Sequence, residues 1–303
     1  MFKRILFATS ATPACDHAAR VAFDMARRYN AHIDVFHVIG VPTRGFSHVV
    51  VDLTTGEKVV LDDNYCDLVK EEIRTYYDHQ IKTETDYAIE VAIGESHREI
   101  LRLARHTQPD MIIMGGSTGA TGAYAARRNI TGSTFQRVAK TAPCPVMVIN
   151  RPAGSFWGGF SNIVFGTDFS ENADSAFEFA FNLAKTFDCE FHLLHALDIT
   201  GCQMNTFHSQ DDIDDQIRKA NQQFRYRYVS KMGDFKNYDM DVWEGIPFVE
   251  IVKYAREKHA DLIVMAHHTR KTGDGEGALG SIAEQVILRA NCPVISVNRS
   301  ISK

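Results

Sequence analysis

The glycine-rich stretch at residues 114–122, MGGSTGATG, contains a serine and glycines that could act in catalysis or bind a ligand. It follows the apolar run DMIIM at residues 110–114. Residues 115–119 fit the pattern G-x-S-x-G, the turn that presents a nucleophilic serine in many hydrolases. The same glycines could instead let backbone N–H groups surround a phosphate. Both interpretations require a strand to end directly before the loop.

The hydrolase interpretation is the weaker of the two. A nucleophile turn needs a helix directly after the serine, but TGATGAY, which follows Ser117, contains two further glycines and starts a helix poorly. The chemistry also needs an acid and a histidine later in the same fold. Residues 118–151 contain no His, Asp or Glu. We therefore favour a phosphate-binding loop and predict no catalytic residue.

The sequence is an internal duplication, which a search for repeats at long period detects. RILFATS at residues 4–10 aligns with NIVFGTD at residues 162–168, 158 positions later. The segment that contains Gly94 and Asp110 aligns with the segment that contains Gly245 and Asp261, 151 positions later. We predict a first domain at residues 1–150, a linker rich in Gly and Pro at 151–160, and a second domain at 161–303.

Each copy alternates buried strands with amphipathic helices. Apolar, β-branched runs at residues 5–8, 33–39, 111–114 and 146–149 are typical of buried parallel strands. Stripes of apolar residues at helical spacing separate them. The alternation predicts an α/β fold with two repeated doubly wound domains, each a five-stranded parallel sheet flanked by helices. The extra residues of the first copy predict a β-hairpin insert at about 44–62.

Composition narrows the classes of function. The formal charge of −5 argues against a nucleic-acid or membrane-surface binder, since either needs a basic face. No run approaches the length of a membrane span, and the first residues do not form a signal peptide. The six cysteines contain no C-x-x-C pair, and His192 and His195 point to opposite faces of a predicted strand. We expect a cytoplasmic protein without a metal site.

The loop and the lead-ins to the last strands, APCPV at 142–146 and ANCPV at 290–294, resemble the universal stress protein family over both copies. ATP-binding members carry G-x2-G-x9-G-(S/T) after the fourth strand. Gly119, Gly122, Gly132 and Ser133 fit this spacing, and a second register begins at Gly116. The resemblance implies that these glycines and the hydroxyl face the triphosphate of ATP, while the ends of strands one and two hold the adenosine. Whether Mg²⁺ accompanies ATP stays open.

The resemblance implies a nucleotide site in the first copy, formed by the following residues: Thr9, Ser10, Val38, Met114, Gly116, Gly119, Gly122, Gly132, Ser133 and Thr134. Weaker candidates in the second copy are Thr167, Asp168, Gly280 and Ser281. The strand-one aspartate of the family is Asp168 in the second copy but Ser10 in the first. The second copy in turn lacks the glycine pair, having AHHT at residues 266–269. We favour the first copy, because a glycine cradle is harder to replace than one adenosine contact.

Three functions remain open. The leading hypothesis is a tandem universal stress protein that binds ATP and regulates an unknown protein partner in the stress response. The alternatives are an interaction module with degenerate pockets and a slow ATPase. Ser133 and Ser281 also fit capping boxes, with Gln136 and Glu284 at the third position. We further expect the last strands of the two copies, 146–149 and 294–297, to pair as an internal pseudo-dimer; a homodimer is left open.

Overall fold

The computed structural model describes residues 2–40, 49–51, 58–82, 85–116, 134–150, 159–199, 209–267 and 282–298. The chain forms two compact units, Met1–Cys144 and Pro145–Lys303. Of the site residues predicted above, Gly119, Gly122, Gly132, Ser133, Gly280 and Ser281 lie outside the described residues. Within the described ranges, no helix has both the length and the apolar character that crossing a membrane requires.

The first unit is built on four parallel strands in the order β6-β1-β2-β5. Its strands are β1 (Arg4–Thr9), β2 (His32–Gly40), β3 (Val49–Val51), β4 (Lys58–Val60), β5 (Tyr87–Gly94) and β6 (Met111–Gly115). Its helices are α1 (Asp16–Tyr29), α2 (Asp63–Tyr76), α3 (Ser96–Thr107) and α4 (Thr134–Thr141), with a 3₁₀ turn at Pro13–Cys15 before α1. Strands β3 and β4 pair antiparallel, as the predicted hairpin requires, and their turn lies outside the described residues.

The second unit repeats this plan with one more parallel strand. Its strands are β7 (Val146–Ile149), β8 (Asn162–Thr167), β9 (Glu190–Leu197), β10 (Tyr238–Glu244), β11 (Leu262–Ala266) and β12 (Val294–Val297). Its helices are α5 (Glu171–Phe187), α6 (Gln210–Gln223), α7 (Ser230–Met232), α8 (Pro247–Glu257) and α9 (Ile282–Arg289), with a π-helical segment at Phe224–Val229 between α6 and α7. The parallel order is β10-β9-β8-β11-β12, so the α/β fold with two repeats is confirmed.

Strand β7 pairs with the last strand of the second unit, β12. It runs antiparallel to β12, with Val148 opposite Val294 and Met147 opposite Ile295. The predicted pairing of these two strands is therefore confirmed. By sequence, β7 ends the first copy, yet it belongs to the second compact unit, which begins at Pro145.

The middle residues of the central strands are apolar and buried because both faces of the sheet are covered. Ile5, Leu6 and Phe7 of β1 and Val164 and Phe165 of β8 have no exposed surface. Continuous apolar runs of this kind are typical of buried parallel strands. The predicted helical stripes supply part of the cover, since Val21 and Met25 in α1 and Ala176 and Leu183 in α5 are also buried, and these helices pack on the sheet through apolar contact.

Each unit ties the amino-terminal end of its first strand to an aspartate that precedes the fourth strand. Asp110 Oδ2 accepts hydrogen bonds from the N–H groups of Lys3 (2.5 Å) and Arg4 (2.9 Å). Asp261 Oδ2 accepts hydrogen bonds from the N–H groups of Ser161 (2.6 Å) and Asn162 (3.0 Å). The sequence alignment matched these two aspartates, and the structure explains why: each satisfies backbone donors that the start of the sheet would leave unpaired.

Candidate functional site

The strand order defines a crevice at the carboxyl end of each sheet. In the first unit, β1 lies between β6 and β2, so the direction in which strands are added reverses between β1 and β6. In the second unit, β8 lies between β11 and β9 in the same way. Ligands of open α/β sheets bind outside the carboxyl ends of the strands at such a reversal. The candidate site is therefore at the ends of β1 and β6, with its counterpart at the ends of β8 and β11.

Thr9 ends β1 at the centre of a buried polar cluster in the first unit. Its hydroxyl lies 2.6 Å from the hydroxyl of Tyr77 and accepts a hydrogen bond from the N–H of Ala11 at 2.9 Å. Nδ1 of His37, at the end of β2, lies 2.9 Å from the Thr9 carbonyl oxygen. Because a carbonyl oxygen only accepts, Nδ1 carries a proton in this contact.

The second unit contains the same cluster with nearly the same distances. The hydroxyls of Thr167 and Tyr228 are 2.8 Å apart, and the N–H of Phe169 donates to Thr167 Oγ1 at 2.9 Å. His195 Nδ1 lies 2.9 Å from the Thr167 carbonyl oxygen. We call Thr9, Tyr77 and His37, and likewise Thr167, Tyr228 and His195, the threonine clusters.

The threonine clusters fix the chain where it leaves the first strand. Ala11 and Phe169, which donate to the threonine hydroxyls, have positive φ angles of 52° and 59°. Residues other than glycine adopt this left-handed conformation at a cost, so the hydrogen bond to threonine helps to hold the turn. The clusters thus set the position of residues 10 and 168 beside the crevice.

Burial changes the pKa of three members of the clusters. It raises the pKa of the Tyr77 and Tyr228 hydroxyls well above the usual range, and the bond to the threonine only partly opposes it. Burial also lowers the pKa of His195, against the smaller opposing effect of its hydrogen bond to Thr167. Both tyrosines therefore stay neutral and position the site through hydrogen bonds.

Neither tyrosine is among the site residues predicted from the sequence. Tyr77 and Tyr228 are 151 positions apart, which is the spacing that aligned the downstream parts of the two copies. Extending that alignment upstream through α2 and the π-helical segment would have paired them. Their contact with the end of the first strand bridges 68 and 61 residues of chain and depends on the fold.

The two units differ at the residue that follows the threonine. In the first unit, the Ser10 hydroxyl lies 2.8 Å from the Thr12 hydroxyl and 3.2 Å from Sγ of the buried Cys15. In the second unit, Asp168 Oδ1 accepts from the N–H of Ser170 at 3.1 Å. The end of β1 is therefore lined by neutral hydroxyls, whereas the end of β8 presents a carboxylate.

A second matched pair also differs in charge. In the first unit, the Tyr76 hydroxyl donates to Asp16 Oδ1 at 2.8 Å. Burial and this bond raise the pKa of Tyr76 to about 12. In the second unit, the equivalent Arg227 donates twice to Asp174, at 3.2 and 2.6 Å. The arginine neutralises the acid at the start of α5, which a neutral tyrosine cannot do at the start of α1.

The end of β6 passes close to the segment before α1. A Cβ at Gly115 would lie 3.2 Å from the carbonyl oxygen of Ala14 and 3.3 Å from Cys15 Sγ, which is tighter than most real contacts. Glycine thus allows the strand end to approach this segment. The next residue, Gly116, is half-buried and leads into the glycine loop.

Most of the predicted site residues that the structure describes meet at this edge. Thr9, Ser10, Met114 and Gly116 lie at the ends of the adjacent strands β1 and β6, and Val38 lies near the end of β2. Thr134 is the first residue of α4. Thr167 and Asp168 take the corresponding place after β8. Within the described part of the chain, no group of three or more His, Cys, Asp or Glu residues could hold a metal ion.

Both copies match one family. The sequence profile of the universal stress protein family matches residues 1–150 and again residues 159–298. The chain belongs to the universal stress protein family. Two universal stress proteins of Methanocaldococcus jannaschii are similar to it: one is 34% identical over 142 residues, 46% of this chain and 83% of its own length. The other is 30% identical over 162 residues, 47% of this chain and 98% of its own length.

The fold of this chain is similar over nearly its whole length to that of a solved universal stress protein. The crystal structure of a universal stress protein from Archaeoglobus fulgidus covers 99% of this chain and 97% of its own, with a TM-score of 0.69 and 21% identity. This likeness concerns the fold. It agrees with the tandem arrangement of two universal stress protein repeats in one chain.

Proposed function

We propose that this tandem universal stress protein binds ATP at the carboxyl edge of its first unit and acts as a regulatory protein. The observation that carries the proposal is the junction of β1 and β6 at the point of strand reversal, with Ser10 at one side and the start of the glycine loop at the other. We propose a nucleotide because its phosphates and its adenosine need different surroundings. The glycine-rich sequence after β6 suits the phosphates, and the hydroxyl-bearing ends of the neighbouring strands suit the adenosine.

The glycine side suits the triphosphate. Glycines without side chains let backbone N–H groups approach anionic oxygens, and the positive end of a following helix adds attraction. The loop that begins at Gly116 is rich in glycine, and α4 begins at Thr134. Gly119, Gly122, Gly132 and Ser133 complete the proposed phosphate site.

The hydroxyl side suits the adenosine. Thr9, Ser10 and Val38 line the ends of β1 and β2, and the threonine cluster holds the turn after Thr9. The half-buried hydroxyls at these strand ends can exchange hydrogen bonds with a nucleoside. We propose binding without hydrolysis as the main activity, because no paired acid and base among the described residues faces this junction.

The second unit is the weaker nucleotide site in this proposal. The residues that end β11 and follow it, Ala266 and His267, carry buried side chains with 7% and 4% of their surface exposed. Side chains at these positions occupy the place where glycine would leave room for phosphate. Asp168 supplies a carboxylate at the end of β8, where we propose that it contacts an adenosine. The second unit would then bind adenosine without a phosphate-binding loop.

Isothermal calorimetry on three forms of the full chain tests the proposal. We expect ATP to bind the unmodified protein with one site per chain. Gly132→Val should abolish binding because a branched side chain obstructs the anion, and the matched Gly280→Val in the second copy should leave it intact. Loss with Gly280→Val alone would place the site in the second copy. Absence of ATP binding to the unmodified protein would favour the interaction-module alternative.

A further inference from the structure

We propose that the open side of β5 in the first unit pairs with β5 of a second copy of this chain, in an antiparallel ladder in which Val91 faces Val91. This dimer requires no nucleotide and is separate from the proposed function. Within the described part of the chain, β2 is the only strand that pairs with β5, so one side of β5 has no strand beside it. All eight residues of β5 are half-buried, whereas β1 inside the sheet is buried from Ile5 to Thr9.

The backbone of β5 presents hydrogen-bonding groups along this open side. The N–H of Ile33 on β2 donates to the Asp86 carbonyl oxygen at 3.0 Å, and Ile33 lies opposite Tyr87. In a parallel ladder with this register, the even-numbered residues of 88–92 direct both backbone groups to β2. The residues between them direct theirs to the open side: Tyr87, Ile89, Val91 and Ile93. A row of unpaired backbone groups is a template for another strand.

The two units differ in the charge on this edge. The equivalent edge strand of the second unit is β10, and it carries Asp239, Asp241 and Glu244. Charged side chains on an edge strand oppose its pairing with another chain. At the spacing of 151 residues, two of these acids are replaced in β5 by Ala88 and Ile93. The edge of the first unit therefore carries one acid in place of three.

The helix that packs on β5 shows the same exchange of charge for apolar surface. Leu68 lies on α2, which packs against β5, and its side chain is 65% exposed. The residue 151 positions later is Lys219 on α6, which forms an ion pair with Asp215 at 2.7 Å. A partner that covers Leu68 removes apolar surface from water, which favours association.

A second copy of the chain suits this edge because β5 is complementary to itself. Antiparallel pairing about a twofold axis at Val91 places Val91 opposite its own copy, Ile89 opposite Ile93, and Glu90 opposite Ala92. The outward-facing backbone groups then meet in hydrogen-bonded pairs. With the axis at Glu90 instead, two glutamates would lie directly opposite each other, which is unfavourable. The charge of Glu90 therefore selects the register centred on Val91.

Proline on the two matching edge strands tests the pairing in the full-length protein. Sedimentation velocity over a series of concentrations should show a dimer of the unmodified chain. Val91→Pro removes an N–H that faces the open side, so the strand keeps its bonds to β2 while the dimer is lost. Val242→Pro is the matched change on β10, where the N–H also faces away from β9, and should leave the dimer intact. A monomer at every concentration, or a dimer that survives Val91→Pro, would overturn the proposal.

Crosslinking tests the register. In Val91→Cys, the two new thiols should face each other at the roughly 5.5 Å Cα spacing of a hydrogen-bonded antiparallel pair, which a disulfide can span. Oxidation by copper phenanthroline should then give a covalent dimer on a denaturing gel without reductant. Val242→Cys is the matched control for the added thiol, and the unmodified chain is the control for the native cysteines; neither should crosslink. Failure of Val91→Cys to crosslink would overturn the register and with it the proposal.

A charge series at Ala92 decides the matter if proline perturbs the strand. Trp243 takes the matching position of β10 and is half-buried, so a long side chain can be accommodated there. Ala92→Lys places a lysine opposite Glu90 of the other copy and should tighten the dimer about tenfold, and Ala92→Glu should weaken it by a similar factor. Gln222→Lys and Gln222→Glu add the same charges at an exposed position of α6 and should change nothing. Equal effects of the two Ala92 variants would contradict pairing through β5.

Discussion

At the scale of single residues, the threonine that ends the first strand of each unit pairs two hydrogen-bonding groups through one hydroxyl. Thr167 is almost fully buried, and its hydroxyl meets both the Tyr228 hydroxyl and the N–H of Phe169. In the first unit, the Thr9 hydroxyl has the equivalent partners, the Tyr77 hydroxyl and the N–H of Ala11. A buried polar group that loses its partner costs more than the hydrogen bond contributed.

The high cost of leaving a buried polar group unpaired predicts an order of stability among variants. Thr167→Val should lower the free energy of unfolding by about 2–3 kcal/mol, because it leaves two buried groups without their partner. Tyr228→Phe should cost only about 1 kcal/mol, since Thr167 still accepts from Phe169. Urea unfolding followed by circular dichroism measures both. The matched pair Thr9→Val and Tyr77→Phe should show the same order, and equal costs in either pair would contradict the prediction.

At the scale of elements, strand β9 carries a buried histidine, His192, and a half-buried one, His195. His192 is 2% exposed and packs against Tyr254 of α8. Its ring nitrogens lie 3.4 Å from Asp239 on β10 and 3.6 Å from Glu190 on β9. Burial lowers the pKa of His192, with Lys258 of α8 acting in the same direction against the two carboxylates. Burial lowers the pKa of His195 as well.

The lowered pKa values predict a loss of stability in mild acid. Below about pH 6.5, the unfolded chain binds protons that the folded histidines resist, so the free energy of unfolding falls as pH drops from 7 to 5. His192→Leu should make this decline shallower. Chemical unfolding at several pH values measures it, and the window above pH 5 keeps most carboxylates ionised. Equal slopes for the variant and the unmodified protein would contradict the assignment.

The junction between β10 and α8 depends on a glycine. Gly245 has a φ angle of 143°, and a Cβ there would lie 2.8 Å from Glu250 Oε1 and 2.9 Å from its Cγ. Gly245→Ala should therefore destabilise the protein by about 1–3 kcal/mol through backbone strain and crowding. Gly40→Ala, where a Cβ would meet nothing within 4 Å, is the control for thermal unfolding. A similar small effect at both positions would contradict this account.

At the scale of the whole molecule, the boundary of the repeat and the boundary of the compact unit differ. The copies align as repeats that end after β7 and β12, but β7 belongs to the second unit and pairs there with β12. Removing β7 would leave an apolar strand at the edge of that sheet, and such edges promote aggregation.

Fragments of the second unit test this boundary. A fragment of residues 145–303 retains the pairing of β7 with β12 and should unfold at the higher temperature of the two. A fragment of residues 151–303 lacks β7 and should unfold at a lower temperature. The two differ by only six residues, so a general effect of truncation is controlled. Identical behaviour of both fragments would show that β7 does not stabilise the unit.

The sequence alone determined the class of fold, the duplication, the hairpin strands and the family. These features are carried by patterns that are local along the chain or that repeat at a constant spacing, so no contact had to be known. The contrast between Ser10 and Asp168 was also visible from the alignment. Such features can be predicted without tertiary information because the apolar periodicity and the repeated motifs lie in consecutive residues.

Only the tertiary structure decided which distant residues share a site. Tyr77 reaches Thr9 across 68 residues, and Arg227 reaches Asp174 across 53. The burial of His192, and with it the direction of its pKa, likewise follows from packing by β10 and α8. Contacts of this kind depend on the order of strands in the sheet, which no local pattern specifies.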